Sequence, residues 1–195
     1  MARKVCPYDT KSRQDVFKRA IVFLKTWFVA DPDGTFIGMP GTFIASIVRC
    51  LDLYTKHLGY KVENGIYVEY TKAIRGLRAY FKKHFSTCLD ITIWKIDIYD
   101  VFRVLKRTIK WGMEIDFLEC DTTDTFINPV KQNALKDCVQ VGVRCIWMCG
   151  SNRKVGTTRS RQEISEILGT TYKWETFTFR GVKGHQMILL VAVKQ

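Results

Sequence analysis

The sequence WETFTFRGVKGHQMILLVAV, residues 174–193, carries the strongest strand signal in the chain. Trp174 to Phe179 alternates threonine with aromatic side chains, which is typical of a half-buried strand. Met187 to Val193 is a continuous apolar run with the length of a fully buried strand. Because only a few residues connect the two segments, they predict an antiparallel pair.

The rest of the chain predicts strands that interleave with helices. Period-two and apolar patterns predict strands over 65–70, 89–98, 111–120 and 139–149, and helical spacing predicts helices over 12–28, 42–57, 71–85, 99–108 and 160–169. Several connections between strands are short, which favours antiparallel pairing over a doubly wound parallel sheet. The predicted fold class is α+β: a single domain over 12–195, with a mainly antiparallel sheet packed with several helices, after a flexible N-terminus at 1–11.

The composition indicates a packed and strongly basic protein. Its 195 residues are 47% hydrophobic, and 31 Lys and Arg against 19 Asp and Glu leave a net charge of +12. A field of this sign favours polyanions such as nucleic acid, an anionic membrane leaflet or an acidic protein. No apolar run approaches the roughly 18 residues of a membrane-spanning helix, and the first residues do not form a secretory signal. The seven cysteines are therefore expected to be reduced thiols of a cytosolic protein.

The motifs of common enzyme classes are absent from the sequence. It has no phosphate-binding loop, dinucleotide fingerprint, nucleophile elbow or HExxH pair. Cys145 and Cys149 share one face of a predicted strand and are expected to be buried thiols rather than metal ligands. The sequence therefore predicts a non-enzymatic binding or assembly domain with no catalytic residues, no cofactor and no metal.

Two clusters of cations are the candidate anion-binding residues. One follows the predicted helix 71–85, and the other lies in the polar segment 151–161 that leads into the next helix, whose N-terminal amides also favour anions. The predicted anion-binding residues are Lys72, Arg75, Arg78, Lys82, Lys83, Arg153, Lys154, Arg159 and Arg161.

Residues 160–180 leave a second interpretation open. The predicted helix and its following Gly169 are similar to the first helix and turn of helix-turn-helix modules. A recognition helix would then have to follow, where the alternation of residues 174–179 favours a strand. A nucleic-acid-binding regulator is the alternative function.

Residues 12–59 combine a predicted helix that ends near Trp27, the motif Phe-Ile-Gly-Met-Pro-Gly with Phe36, Gly38, Met39 and Gly41, and a second, apolar helix. In this combination the segment resembles part of the rhabdovirus matrix proteins. The resemblance implies a viral matrix-like structural or accessory protein, in the virion or in the infected-cell cytoplasm or nucleus, that acts in assembly or host interaction. The implied partners are an anionic membrane surface or nucleocapsid, RNA, host proteins and a second copy of the chain. The chain lacks proline-rich budding motifs, so an accessory role fits as well as a virion role.

Overall fold

The architecture is a seven-stranded sheet with helices on both faces. The computed structural model describes residues 10–41, 43–71, 74–86, 91–108, 114–152, 156–181 and 184–195. The strands are β1 (Thr35–Gly38), β2 (Gly65–Val68), β3 (Thr92–Trp94), β4 (Ile115–Thr125), β5 (Cys145–Ser151), β6 (Tyr172–Arg180) and β7 (Gln186–Lys194). The helices are α1 (Lys11–Trp27), α2 (Ile44–Asp52), α3 (Ile74–His84), α4 (Ile98–Thr108), α5 (Pro129–Val141) and α6 (Thr157–Leu168), and a π-helical turn, Leu53–His57, extends α2.

The strands lie in the order β3-β2-β1-β4-β5-β7-β6. The first five strands of that order run parallel, and β7 runs antiparallel to both of its neighbours, β5 and β6. The chain is thus a single α/β domain with a mostly parallel sheet. The prediction of a mainly antiparallel α+β domain is wrong, because it extended the antiparallel pairing that short connections favour, as in the β6–β7 hairpin, to parallel strands that are joined through helices.

Side chains that alternate along the strands belong to two hydrophobic cores, one on each face of the sheet. Phe36 packs with residues of α1, α2 and α3 on one face of the sheet, and its neighbour Ile37 packs with residues of α4, α5 and α6 on the other. Burial on both faces explains why the central strands are short apolar runs rather than amphipathic ones. Helices that lie on both faces of a parallel sheet define a doubly wound fold.

The strand order places a topological switch between β1 and β4. From β1 the chain moves outward through β2 to β3, then returns past β1 to form β4 and β5. In open α/β sheets, ligands bind outside the carboxyl ends of the strands at such a switch. This rule predicts a binding crevice at the carboxyl ends of β1 and β4.

Several local predictions agree with the structure and others do not. The predicted helices at 12–28, 99–108 and 160–169 correspond to α1, α4 and α6 within a few residues. The expected strand 139–149 is wrong in its first part, because α5 continues to Val141 and β5 begins at Cys145. The recognition helix required by a helix-turn-helix module is absent, since that segment is β6, paired with β7 along its full length.

The described residues contain no helix that is both long and apolar enough to cross a bilayer. The predicted flexible segment 1–11 falls almost entirely outside the described part of the chain, which begins at Thr10.

Candidate functional site

Carboxylates gather where the parallel strands end. Glu69 follows β2, Asp97 lies three residues beyond β3, and Asp121 and Asp124 belong to the last residues of β4. Parallel strands end at one edge of the sheet, so these four carboxylates lie along the edge where the crevice is predicted, although the chain has a net charge of +12. A row of carboxylates at this edge favours a cationic ligand.

The turn between β1 and α2 follows the carboxyl end of β1, at the edge where the crevice is predicted. Gly41 has a φ of 72°, in the left-handed region that favours glycine, and a Cβ built there has only the Ser46 Cβ nearby, at 3.7 Å. Gly38 is required for a different reason, because a Cβ there would lie 2.6 Å from the hydroxyl oxygen of Tyr54. The turn thus exposes backbone at Gly41, whereas the Tyr54 ring covers Gly38.

Replacing these two glycines with alanine should destabilise the protein to different degrees. We expect Gly38→Ala to lower the free energy of unfolding by about 2 kcal/mol or more, because the fully buried Tyr54 cannot move aside. We expect Gly41→Ala to lower it by about 1 kcal/mol, from backbone strain alone. Urea denaturation of both variants measures the difference, and a larger loss for Gly41→Ala would contradict this account.

Glu119 of β4 is a buried carboxylate directly beneath the turn. Its oxygens accept hydrogen bonds from the Met39 backbone N–H at 3.3 Å, from the Cys50 thiol at 3.3 Å and from the Tyr54 hydroxyl. Burial raises the pKa of Glu119 to about 7. The same burial raises the pKa values of Cys50 and Tyr54, so both stay protonated and act as donors. Glu119 therefore joins the turn to α2 and to the π-helical turn that follows it.

Glu69 is held in place at the carboxyl end of β2. It is 3% exposed, and its Oε1 accepts hydrogen bonds from the backbone N–H and the hydroxyl of Thr71, both at 2.8 Å. The backbone N–H of Glu69 donates to the Trp94 carbonyl of β3 at 3.1 Å. These bonds fix an acceptor carboxylate next to the β1–α2 turn.

A bulge interrupts the end of β4. Asp121 pairs with Cys149 and Thr125 with Ser151, so β4 has two more residues than β5 between these points. The Tyr99 hydroxyl at the start of α4 lies 2.7 Å from the Asp124 carboxylate and 3.0 Å from the Thr122 hydroxyl. Bulges beside a crevice redirect side chains out of the regular ladder, and this one places polar groups at the carboxyl edge.

Lys131 of α5 supports the bulge from below. It is fully buried, and its ammonium donates to the Thr122 hydroxyl at 2.7 Å, to the Asp124 carbonyl at 3.1 Å and to the Cys149 carbonyl. Burial lowers its pKa. The ammonium also lies 4.7 Å from the centre of the Phe126 ring. One side chain thus ties the ends of β4 and β5 together.

Arg13 connects α1 to the same edge. Its guanidinium pairs with the Asp121 carboxylate and lies 5.2 Å and 5.8 Å from the rings of Phe17 and Phe179. Although burial opposes the charge, the pairing with Asp121 keeps the pKa of Arg13 above its usual value. Asp121 therefore has a fixed orientation at the mouth of the crevice.

The predicted anion-binding residues do not form one site. Arg75, Arg78, Lys82 and Lys83 are exposed on α3, whereas Arg159 and Arg161 are exposed on α6, on the opposite face of the sheet. Arg161 is engaged locally, with its guanidinium 3.0 Å from the Thr176 hydroxyl and 5.6 Å from the centre of the Trp174 ring. Lys72, Arg153 and Lys154 lie outside the described residues. Anion binding by these residues stays a prediction, as do the expected partners.

The predicted motif residues have separate surroundings. Phe36 is buried among Tyr54, Tyr60 and Tyr67. Trp27 is 47% exposed at the end of α1, with the Lys173 ammonium 4.8 Å from the centre of its ring. The motif is thus a strand, β1, followed by the turn that begins the crevice.

Seven residues at or beneath this edge of the sheet were missed by sequence reasoning. Glu69 had a usable signal, because it is an acid near the carboxyl end of the predicted strand 65–70. The other six carry no local pattern that separates them from ordinary helix and strand residues. The missed residues are Arg13, Glu69, Tyr99, Glu119, Asp121, Asp124 and Lys131.

The comparisons with known proteins give the fold. No family model and no curated protein matches the sequence. A putative SAM-dependent methyltransferase from Streptococcus mutans superposes with a TM-score of 0.61 at 11% identity over 95% of this chain and 50% of its own. Magnesium protoporphyrin IX methyltransferase from Synechocystis PCC 6803 gives 0.58 at 13% identity, over 94% of this chain and 79% of its own. The methyltransferase domain of METTL16 gives 0.61 at 14% identity, over 94% and 67%.

The chain has the fold of these SAM-dependent methyltransferases, and it spans half the length of the Streptococcus mutans protein. The resemblance to rhabdovirus matrix proteins is wrong, because the fold over most of the chain is that of the methyltransferase structures. The same finding overturns the predictions of a viral structural role and of a non-enzymatic protein. The alternative of a helix-turn-helix regulator is also wrong, since its second helix is β6.

Proposed function

We propose that the protein is an S-adenosylmethionine-dependent methyltransferase. The observation that carries the proposal is the crevice at the β1–β4 switch point, bordered by Glu69 and by the open turn at Gly41. Two further observations support the proposal. The sheet has one antiparallel strand, β7, near its end, and the fold is similar to that of solved methyltransferases.

The residues of the crevice fit this cofactor. A fixed carboxylate after the second strand suits the ribose hydroxyls of an adenosyl group, as in other doubly wound nucleotide-binding folds. Because Gly41 has no Cβ, the space above the turn is open, and the cofactor could approach the backbone closely there. The acidic edge suits a sulfonium cation. The chain has two glycines in this turn rather than the three of a dinucleotide fingerprint, and one of them is covered by Tyr54.

The cofactor would supply a methyl group on a positively charged sulfur: an acceptor nucleophile forms a bond to the methyl carbon in line with the carbon–sulfur bond, which breaks and leaves its electron pair on a neutral thioether. Glu69 would accept hydrogen bonds from the ribose hydroxyls and so set the position of the adenosyl group. Asp121 and Asp124 lie on the side of the crevice opposite β2, where an acceptor molecule would enter. A carboxylate there takes the proton that a hydroxyl or amine acceptor loses when it gains the methyl group.

Positioning supplies much of the rate enhancement in a methyl transfer, because the acceptor nucleophile and the methyl donor must be held in line. Arg13 orients Asp121, and Tyr99 together with Lys131 holds the bulge that contains Asp124. The buried donors prevent the β4 end from moving as the acceptor binds. These residues are positioning residues, since none of them contacts the reacting atoms.

Replacing Glu69 with glutamine should weaken binding of S-adenosylmethionine by about tenfold or more. A hydrogen bond to a charged group contributes about 1.5–3 kcal/mol, and the amide keeps the shape of the side chain while it removes the charge. Isothermal titration calorimetry with S-adenosylmethionine measures the dissociation constant of each protein.

Glu63→Gln is the matched control, because Glu63 is exposed just before the amino end of the same strand. We expect it to bind as the parent does. Equal affinities of the two variants would contradict the role of Glu69, and no measurable binding by the parent would contradict the proposed function.

A further inference from the structure

An apolar groove lies between α1 and α2. It has a volume of about 770 Å³, and its walls include Phe17 and Ile21 of α1 and Phe43, Ile44 and Val48 at the start of α2. Three of these side chains stay well exposed: Phe43 at 39%, Ile44 at 69% and Val48 at 41%. Exposed apolar side chains that line one concavity indicate a binding site more than chance exposure does.

The groove borders the candidate site. Helix α2 follows the turn that ends at Gly41, so Phe43 and Ile44 lie at the carboxyl edge of the sheet. Helix α1 begins at the same edge, where the Thr10 hydroxyl donates to the Arg180 carbonyl at 2.8 Å. Phe17 in the groove wall contacts the guanidinium of Arg13, which pairs with Asp121. One end of the groove therefore lies at the same edge of the sheet as the predicted crevice.

The charges along the groove favour an anion. Lys18 and Arg49 line it from α1 and α2, and the one carboxylate among its described lining residues, Asp52, pairs with Lys56 at 2.7 Å. Burial and the nearby Lys25 lower the pKa of His57, so this lining side chain is uncharged at neutral pH. The groove thus combines apolar walls with a net positive charge.

We propose that the groove binds the methyl acceptor, a small elongated molecule with an apolar body and one anionic group. The apolar body covers Phe43, Ile44 and Val48, and the anionic group pairs with the Lys18 ammonium. The volume lies in the range of about 300–1,000 Å³ that is typical of small-molecule sites. This inference rests on the proposed function, because the acceptor is defined by the reaction in the crevice.

The test uses dodecanoate below its micelle concentration as the probe, with calorimetry on the whole chain. We expect Val48→Asp to weaken dodecanoate binding by about tenfold or more, because it places a carboxylate in the apolar wall. Val22→Asp is the matched control, since Val22 is a 67% exposed valine of α1 that does not line the groove. We expect dodecyltrimethylammonium to bind the parent about tenfold more weakly than dodecanoate does.

Several outcomes would overturn the proposal. Equal dodecanoate affinity of the two valine variants would show that the probe binds elsewhere. Equal binding of the anionic and cationic probes would contradict the predicted ligand class. Parent dimers that Val48→Asp converts to monomers in sedimentation would assign the groove to a second copy of the chain.

A separate titration with S-adenosylmethionine distinguishes this proposal from the proposed function. We expect Val48→Asp to bind S-adenosylmethionine as the parent does, since Val48 does not border Glu69 or Gly41 in the crevice. A parent that binds dodecanoate in the groove but does not bind S-adenosylmethionine would overturn both the proposed function and the assignment of the groove to an acceptor. A parent that binds S-adenosylmethionine but not dodecanoate would overturn the groove proposal alone.

Discussion

Replacing Lys131 with methionine is expected to lower the free energy of unfolding by about 3 kcal/mol or more. Methionine fills a similar volume but donates no hydrogen bond, so the Thr122 hydroxyl and the carbonyls of Asp124 and Cys149 lose their shared donor. Each buried acceptor left without a partner costs about 1–3 kcal/mol. Removal of a buried ammonium whose pKa is already lowered offsets only part of this loss. Urea denaturation at neutral pH gives the measurement.

Lys136→Met is the matched control, because Lys136 is an exposed lysine of the same helix. We expect it to change the free energy of unfolding by less than about 0.5 kcal/mol. A Lys131→Met variant as stable as this control would show that the ammonium does not hold the ends of β4 and β5. If the bulge positions Asp124 for catalysis, folded Lys131→Met protein should also transfer methyl groups more slowly at saturating S-adenosylmethionine, with its affinity for that cofactor unchanged.

The elements that sequence reasoning located are those whose signals are local. The β6–β7 hairpin has two strong strand patterns beside each other, and α6 has a regular apolar spacing that ends at Gly169. The sheet order has no such signal, because β1 and β3 are only four and three residues long and their partners lie beyond intervening helices. Extending the hairpin's antiparallel pairing to these strands therefore gave the wrong fold class. Helix α5 was missed because its last apolar residues, up to Val141, run into the apolar pattern that leads to β5.

The candidate site was hidden for a related reason. Glu69 and Asp121 are more than fifty positions apart in the sequence and come to one edge only because β2 and β4 flank β1. Before the strand order is known, each of these acids resembles an ordinary polar residue at the end of a strand. The net charge of +12 also favoured the prediction of an anion-binding surface, although carboxylates lie at the carboxyl edge of the sheet.

The stability of the parent relative to Glu119→Gln should depend on pH. Burial raises the pKa of Glu119 from 4.5 to about 7 in the folded protein. Between these values the folded state keeps a proton that the unfolded state has released, so the contribution of Glu119 to stability is fully present below pH 4.5 and is lost as the pH rises through 7. We expect the parent to lose on the order of 3 kcal/mol relative to Glu119→Gln between pH 4.5 and 8, since one pKa unit corresponds to about 1.4 kcal/mol. Urea denaturation of both proteins across this range measures the difference.

A second variant tests the cause of this shift. The hydrogen bond from the Tyr54 hydroxyl lowers the pKa of Glu119 and so opposes the effect of burial. Tyr54→Phe should therefore move the upper end of the pH-dependent range above 7, because the buried carboxylate loses a donor that favours its charged form. Parallel stability curves for the parent and Glu119→Gln would show that Glu119 is ionised with an ordinary pKa. Since its oxygens accept from Met39 in the turn and from Cys50 in α2, such a result would require another group to compensate the buried charge beneath the crevice.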